Sequence, residues 1–269
     1  MAKFAANLTM LFTEVPFLER FEKAHQAGFK AVEYLFPYAF EAEELAEKMQ
    51  KFGFEQALFN MPPGDWDAGE RGFAAIPGRE DEFKASVDTA LMYAKALKCK
   101  KVHAMSGLLD ENFTKQQHID TFISNIRFAA DKFAEQGIEL MIESLNNRDV
   151  PNYFVAHQRE AVELIKLVNR PNVKLQLDLY HAQIMDGDLS TLIREVAAYT
   201  GHIQIASVPE RHEPSEGELN YPHLFSVLDD SGYQGWIGCE YNPRGTTEEG
   251  LGSEGSPLLF TGTLPHLSL

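Results

Sequence analysis

Gln116 to Glu143 reads QQHIDTFISNIRFAADKFAEQGIELMIE, and within it the hydrophobic period changes. Over Gln116–Gln136, Ile119, Phe122, Ile123, Ile126, Ala130 and Phe133 follow the i, i+3, i+4, i+7 spacing of one helix face. Gly137 marks the stop, since glycine adopts the backbone conformation that ends helices. Glu139–Glu143 (ELMIE) then runs apolar without alternation and closes on a carboxylate. A strand covered on both faces reads this way. Helix, stop and doubly covered strand form one unit of a parallel sheet.

Working outward, seven more runs have strand character: Phe4–Leu8, Ala31–Leu35, Gln56–Phe59, Lys101–Met105, Lys174–Asp178, His202–Ala206 and Trp236–Tyr241. Helical segments are expected at 14–27, 41–51, 80–98, 158–168, 189–199 and 221–231. Strand ends fall 25 to 44 residues apart, room for one helix in each interval. Eight such units in about 250 residues predict an α/β fold, a single closed (β/α)8 barrel. No Gly-rich dinucleotide fingerprint follows Phe4–Leu8, which argues against a doubly wound open sheet. The barrel domain is expected over 1–250 and an irregular tail over 251–269, where helical periodicity is lost. Asn60–Gly78, rich in Gly and Pro, is a long loop of the kind that carries function.

The 269 residues are 44% hydrophobic, enough for a large core. With 24 Lys and Arg against 40 Asp and Glu, the net charge is -16, which repels a phosphate backbone and excludes nucleic acid as a partner. No apolar run has membrane-spanning length, and MAKFAANLTM lacks the apolar core of a secretory signal. These features predict a cytoplasmic protein with no membrane partner, and they are compatible with a homo-oligomer. Cys99 and Cys239 are far apart and form neither a disulfide framework nor a thiolate metal motif.

Catalytic groups of such barrels sit where strands end. Glu143 closes LMIE, Asp178 closes LQLD, Gln204 lies in HIQIA and Glu240 follows WIGC, one oxygen-bearing side chain on each of the last four strands. Singly, each reads equally well as a strand-end acid, a helix cap or a core amide. Together, three carboxylates and an amide at one point call for a cation, because unscreened like charges would force protonation. All-oxygen ligation favours Mg2+ or Mn2+ over zinc. His181, three residues after Asp178 at the start of a βα loop, and Arg211 in ASVPERHEP can reach a bound anion or hydroxyl, or be ordinary loop residues. His103 faces either the barrel mouth or the core, and Asn7 and Glu33 belong to the mouth or to buried hydrogen-bond networks. Arg71, in the long loop, closes over substrate or is solvated.

From FAANLTMLFTEVPFLERF to WIGCEYNPRGTTEEGLG, nearly 250 residues, the sequence resembles the hydroxypyruvate isomerases, among the xylose-isomerase-like barrels that also include ketose 3-epimerases. PPGDWDAGERG with IPGRE, LDLYHAQIMDGDL, HIQIASVPERHEPSEGELNYPHLF and GWIGCEY carry the resemblance. It implies the (β/α)8 fold, the same four ligands, and Glu143 and Glu240 as the acid/base pair. ESLNNRDVPNYF resembles hydroxypyruvate isomerases, whereas VPERHEP is closer to 2-oxo-tetronate isomerases. After EGL the run GSEGSPLLFTGTLPHLSL departs from the family's Trp-containing helical end.

The implied reaction interconverts hydroxypyruvate and 2-hydroxy-3-oxopropanoate (tartronate semialdehyde) through an enediolate, one Glu taking the carbon-bound proton. The partner is then a small sugar acid, or a neutral ketose if the same site performs 3-epimerisation. An abasic-site nuclease would need a histidine-rich zinc cluster and a basic groove, which the charge opposes. A silent sugar-acid binder is disfavoured by the presence of both Glu143 and Glu240.

Overall fold

The computed structural model describes residues 2–252. Eight parallel strands close a barrel: β1 (Lys3–Asn7), β2 (Ala31–Tyr34), β3 (Glu55–Asn60), β4 (Lys101–His103), β5 (Glu139–Glu143), β6 (Val173–Asp178), β7 (Thr200–Ile205) and β8 (Trp236–Cys239). Around it lie α1 (Phe17–Gln26), α2 (Ala42–Phe52), α3 (Glu80–Leu97), α4 (Lys115–Ala134), α5 (Gln158–Val168), α6 (Leu179–Met185), α7 (Leu189–Val196), α8 (Tyr221–Asp230) and α9 (Thr247–Gly252). Every expected strand is present with ends displaced by no more than two residues, and β8 stops at Cys239, so Glu240 stands just beyond it. Most of the expected tail, residues 253–269, lies outside the described residues.

The amphipathic segment that decides the fold forms α4, with Phe122, Ile126, Ala130 and Phe133 buried. Thr114 accepts from the Gln117 amide and Gln117 reaches back to the Thr114 amide, a reciprocal cap worth about 1 kcal/mol. The interval after β6 differs from expectation. Residues 179–185 form α6 instead of a loop, because Asp178 caps that helix, accepting from the Tyr180 amide at 2.7 Å. His181 is therefore fixed on a helix.

The barrel interior is layered. Ala5, Ala31 and Ala57 form a small apolar cluster with Trp236 packed against it. Above them lies a polar layer: Glu33 accepts from His202 Nε2 at 2.6 Å, from Gln204 Nε2 at 2.8 Å and from Asn7 Nδ2 at 3.1 Å. Gln176 donates to the Gln204 oxygen at 2.7 Å. Gly238 makes this possible, since a Cβ there would collide with Glu33 Oε1. A buried carboxylate is tolerated when its lone pairs are met in this way.

Candidate active site

The C-terminal ends of β5 to β8 bring Glu143, Asp178, Gln204 and Glu240 to one mouth, each buried. Glu143 ends β5 beside His103, whose Nδ1 lies 3.6 Å from Glu143 Oε2. Asp178 ends β6 in register with Gln204. Glu240 Oε1 accepts from Asn7 Nδ2 at 3.2 Å, and its Oε2 accepts from Arg211 Nη2 at 2.7 Å. The same Nη2 lies 3.5 Å from Asp178 Oδ2.

Arg211 holds this position in the left-handed region, φ 58°, which costs a residue with a Cβ about 1–2 kcal/mol. Its guanidinium stacks 4.8 Å from the Tyr180 ring centroid. Tyr180 is itself fixed by donating to Asp149 at 2.7 Å and accepting from Arg148 at 3.1 Å. Arg148 also donates to the Pro209 carbonyl at 2.9 Å, tying the β5 loop to the segment that carries Arg211. Arg211 Nε is buried and, among the described residues, has no hydrogen-bond partner.

Burial pushes the Glu143 carboxyl well above its ordinary range, and Glu240 and Asp178 push in the same direction. Burial also raises Asp178, against the pull of Arg211 and two backbone N–H groups, and lifts Glu240 to about 8 even with Arg211 beside it. Burial opposes the Arg211 charge, but Glu240, Asp178 and Glu143 together hold the guanidinium above its ordinary value. Burial, then the His202 charge, brings His103 down to about 3. One guanidinium among three buried carboxylates leaves a negative excess that a cation would relieve.

Glu143, Asp178 and His181 offer ligand atoms within 4.8 Å of one another, a group that can hold a metal ion. Among the described residues Glu143 Oε1 and Asp178 Oδ2 are buried without a hydrogen bond, as open ligand positions would be. His181 fits the group less well. Its Nδ1 accepts from the Asn146 backbone N–H at 3.0 Å, so the ring hydrogen sits on Nε2, 3.6 Å from Asp178 Oδ2. That tautomer donates a hydrogen bond and offers no Nε2 lone pair. The Gln204 oxygen accepts from Gln176 and keeps one further lone pair.

Asn7 joins the site through Glu240. Arg71 stays within its own loop, donating to the Glu70 and Trp66 carbonyls and lying 3.9 Å from the Trp66 ring centroid. Sequence reasoning left out the Tyr180, Asp149 and Arg148 scaffold. For Arg148 and Asp149 the signal available was ESLNNRDVPNYF, a polar run that starts at the Glu143 strand end.

The family described as xylose isomerase-like TIM barrel matches residues 21–255. A 2-oxo-tetronate isomerase of Pectobacterium atrosepticum is 54% identical over 94% of this chain and 96% of its own. A hydroxypyruvate isomerase of Escherichia coli is 46% identical over 93% and 97%. A crystal structure titled AP endonuclease, family 2, from Brucella melitensis superposes with a TM-score of 0.92 at 61% identity, covering 93% of this chain and 97% of that one. The D-psicose 3-epimerase of Clostridium cellulolyticum, at 19% identity and a TM-score of 0.73 over 93% and 89%, shares the fold. The chain belongs to the xylose isomerase-like TIM barrel family. Within it, it is an isomerase of the hydroxypyruvate and 2-oxo-tetronate isomerase group.

Proposed function

We propose that the chain interconverts hydroxypyruvate and 2-hydroxy-3-oxopropanoate, with Glu143 and Glu240 moving the proton. The observation that carries this reading is Arg211: a half-buried guanidinium, its Nε–H without a partner among the described residues, stands among the carboxylates of the mouth. A neutral ketose has no need of such a group, whereas an acid substrate entering this field needs it.

Glu143, Asp178 and Glu240, with Gln204 beside them, would hold a divalent cation, Mg2+ or Mn2+, which when bound supplies Lewis-acid stabilisation of negative charge on the substrate oxygens. One Glu removes a proton from the hydroxyl-bearing carbon, and a proton is returned to the former carbonyl carbon. A proton passes between the two oxygens to complete the exchange. Burial raises both carboxyls, Glu240 to about 8, which makes each a stronger proton acceptor than an exposed carboxylate. Asn7 and Arg211 take one oxygen each of Glu240 and fix its orientation. In this reading His181 Nε2–H, 3.6 Å from Asp178 Oδ2, and Arg211 Nε–H, without a partner among the described residues, are the donors for substrate oxygens.

A second reading, 2-oxo-tetronate as substrate, is supported by the 54% and 50% identity to relatives of that name, against 46% for the Escherichia coli hydroxypyruvate isomerase. The acidic balance of -16 argues against DNA as a substrate. Two free buried thiols fit a reducing, cytoplasmic setting, and among the described residues no helix is long and apolar enough to cross a membrane. The test is turnover of hydroxypyruvate, 2-oxo-tetronate and a neutral ketose side by side with added Mg2+ or Mn2+. Preference for the neutral ketose would replace the acid-isomerase reading with 3-epimerisation.

A further inference from the structure

At the opposite end of the barrel, where the strands begin, a cavity of about 340 Å³ opens between the barrel floor and helices α7 and α8. Lys101 and Glu139, the first residues of β4 and β5, line it with Lys174 of β6. The mouth chemistry uses none of them. Hydroxyls at this cavity already have acceptors: Ser231 donates to Val227 O at 2.7 Å, Tyr233 to Trp236 O at 2.7 Å and Thr200 to Val196 O at 3.1 Å. The charged donors lining the cavity are the ammonium groups of Lys101 and Lys174.

Lys101 reaches across the floor and donates to the Gly201 carbonyl at 2.6 Å. An ammonium has three N–H groups, so two remain. Among the described residues the Lys174 ammonium has neither a hydrogen bond nor an ion pair. Burial presses the Lys101 charge below its ordinary value, with Glu139 and Glu55 opposing and Lys3 adding to the pressure. Lys101 and Lys174 against Glu139 leave one positive charge among the residues lining the cavity, in a chain whose net charge is -16. Ile193, Ile203 and Leu228 supply an apolar wall. One excess positive charge, spare ammonium donors and an apolar wall suit a small amphiphilic monoanion, and suit a compact polyanion poorly.

We infer that this basal cavity binds a small organic monocarboxylate, its carboxylate between Lys101 and Lys174 and its carbon chain against Ile193, Ile203 and Leu228. A ligand there would bridge β4, β6 and the α7–α8 edge, far from the proton-transfer residues.

Pyruvate is the probe, with inorganic phosphate as the comparison anion. Calorimetric titration of the intact protein should resolve a basal site besides any binding at the mouth, and crystals soaked in pyruvate should show it between the two lysines. Lys174→Gln removes an unpaired ammonium, and Ala197→Leu fills the cavity from the end of α7. Each should weaken basal binding at least tenfold and leave turnover at the mouth within about twofold. Pyruvate absent from the cavity in soaked crystals, unchanged basal affinity in both variants, or occupation by phosphate in preference to pyruvate would each overturn the inference.

Discussion

Arg211 Nη2 donates to Glu240 Oε2 at 2.7 Å and stands 3.5 Å from Asp178 Oδ2, so one guanidinium spans the ends of two strands. A positive charge in that position would compete with a divalent cation for the same carboxylates, and its Nε–H has no partner among the described residues. Arg211→Ala should therefore bind Mg2+ or Mn2+ more tightly, by about tenfold or more, yet lose about 10²–10³ in turnover of hydroxypyruvate. Arg211→Lys should also lose turnover, because an ammonium cannot reproduce a planar fork. Metal titration and steady-state kinetics on the same preparations check both. Metal affinity unchanged by Arg211→Ala would show that the guanidinium and the cation do not share ligands.

Glu143→Gln and Glu240→Gln each keep an oxygen but cannot accept a proton. Each should lower turnover by about 10²–10⁴-fold. The double variant should be little worse than the poorer single one if the two act in one proton transfer. Retained solvent-deuterium incorporation into substrate carbon in either single variant would identify the other Glu as the sole base.

Gly238→Ala tests the barrel interior. The added Cβ meets Glu33 Oε1 and Oε2, and that carboxylate cannot swing away because His202, Gln204 and Asn7 all bind it. Overpacking of this kind costs about 1–3 kcal/mol. Urea unfolding should show the loss as a lower midpoint with an unchanged slope. A wild-type midpoint would mean that the Glu33 network is softer than its hydrogen bonds indicate.

The loop after β3 should respond to acid. The Arg79 guanidinium, bonded to Glu70 Oε1 at 2.5 Å and to Oε2 at 3.1 Å, holds the Glu70 carboxyl below its ordinary value of 4.5. A carboxyl depressed by folding contributes stability that is fully present above its unfolded value and is lost as pH falls through its lower folded value. Glu70 Oε2 also accepts from the Asp65 amide at 2.7 Å. Hydrogen exchange at Asp65, corrected for intrinsic rates, should keep its protection down to about pH 4.5 and lose it below. Glu70→Gln should remove that pH step.

Much of this is legible in the sequence. Glu143, Asp178 and Glu240 announce themselves as acids closing apolar strands, and the i, i+3, i+4 pattern of α4 survives intact in its buried face. The pairing of Glu33 with His202 was not legible, since 169 residues separate them and only closure of the barrel makes them neighbours. Gly238 was equally silent, because its contribution is the absence of a side chain. The α6 helix was missed because Asp178 serves at once as strand end, site residue and helix cap, leaving no turn residues to mark the change.

The two tryptophans give the barrel an optical label at each end. Trp236 packs on the alanine cluster at the floor under the Lys3 ammonium, 5.1 Å from its ring centroid, whereas Trp66 lies in the β3 loop, 37% exposed, between Phe36 and Arg71. Their emission should differ in wavelength and in access to aqueous quenchers. Trp66→Phe and Trp236→Phe would each leave a single fluorophore, so movement of the loop and events at the floor could be followed separately in solution without any attached dye.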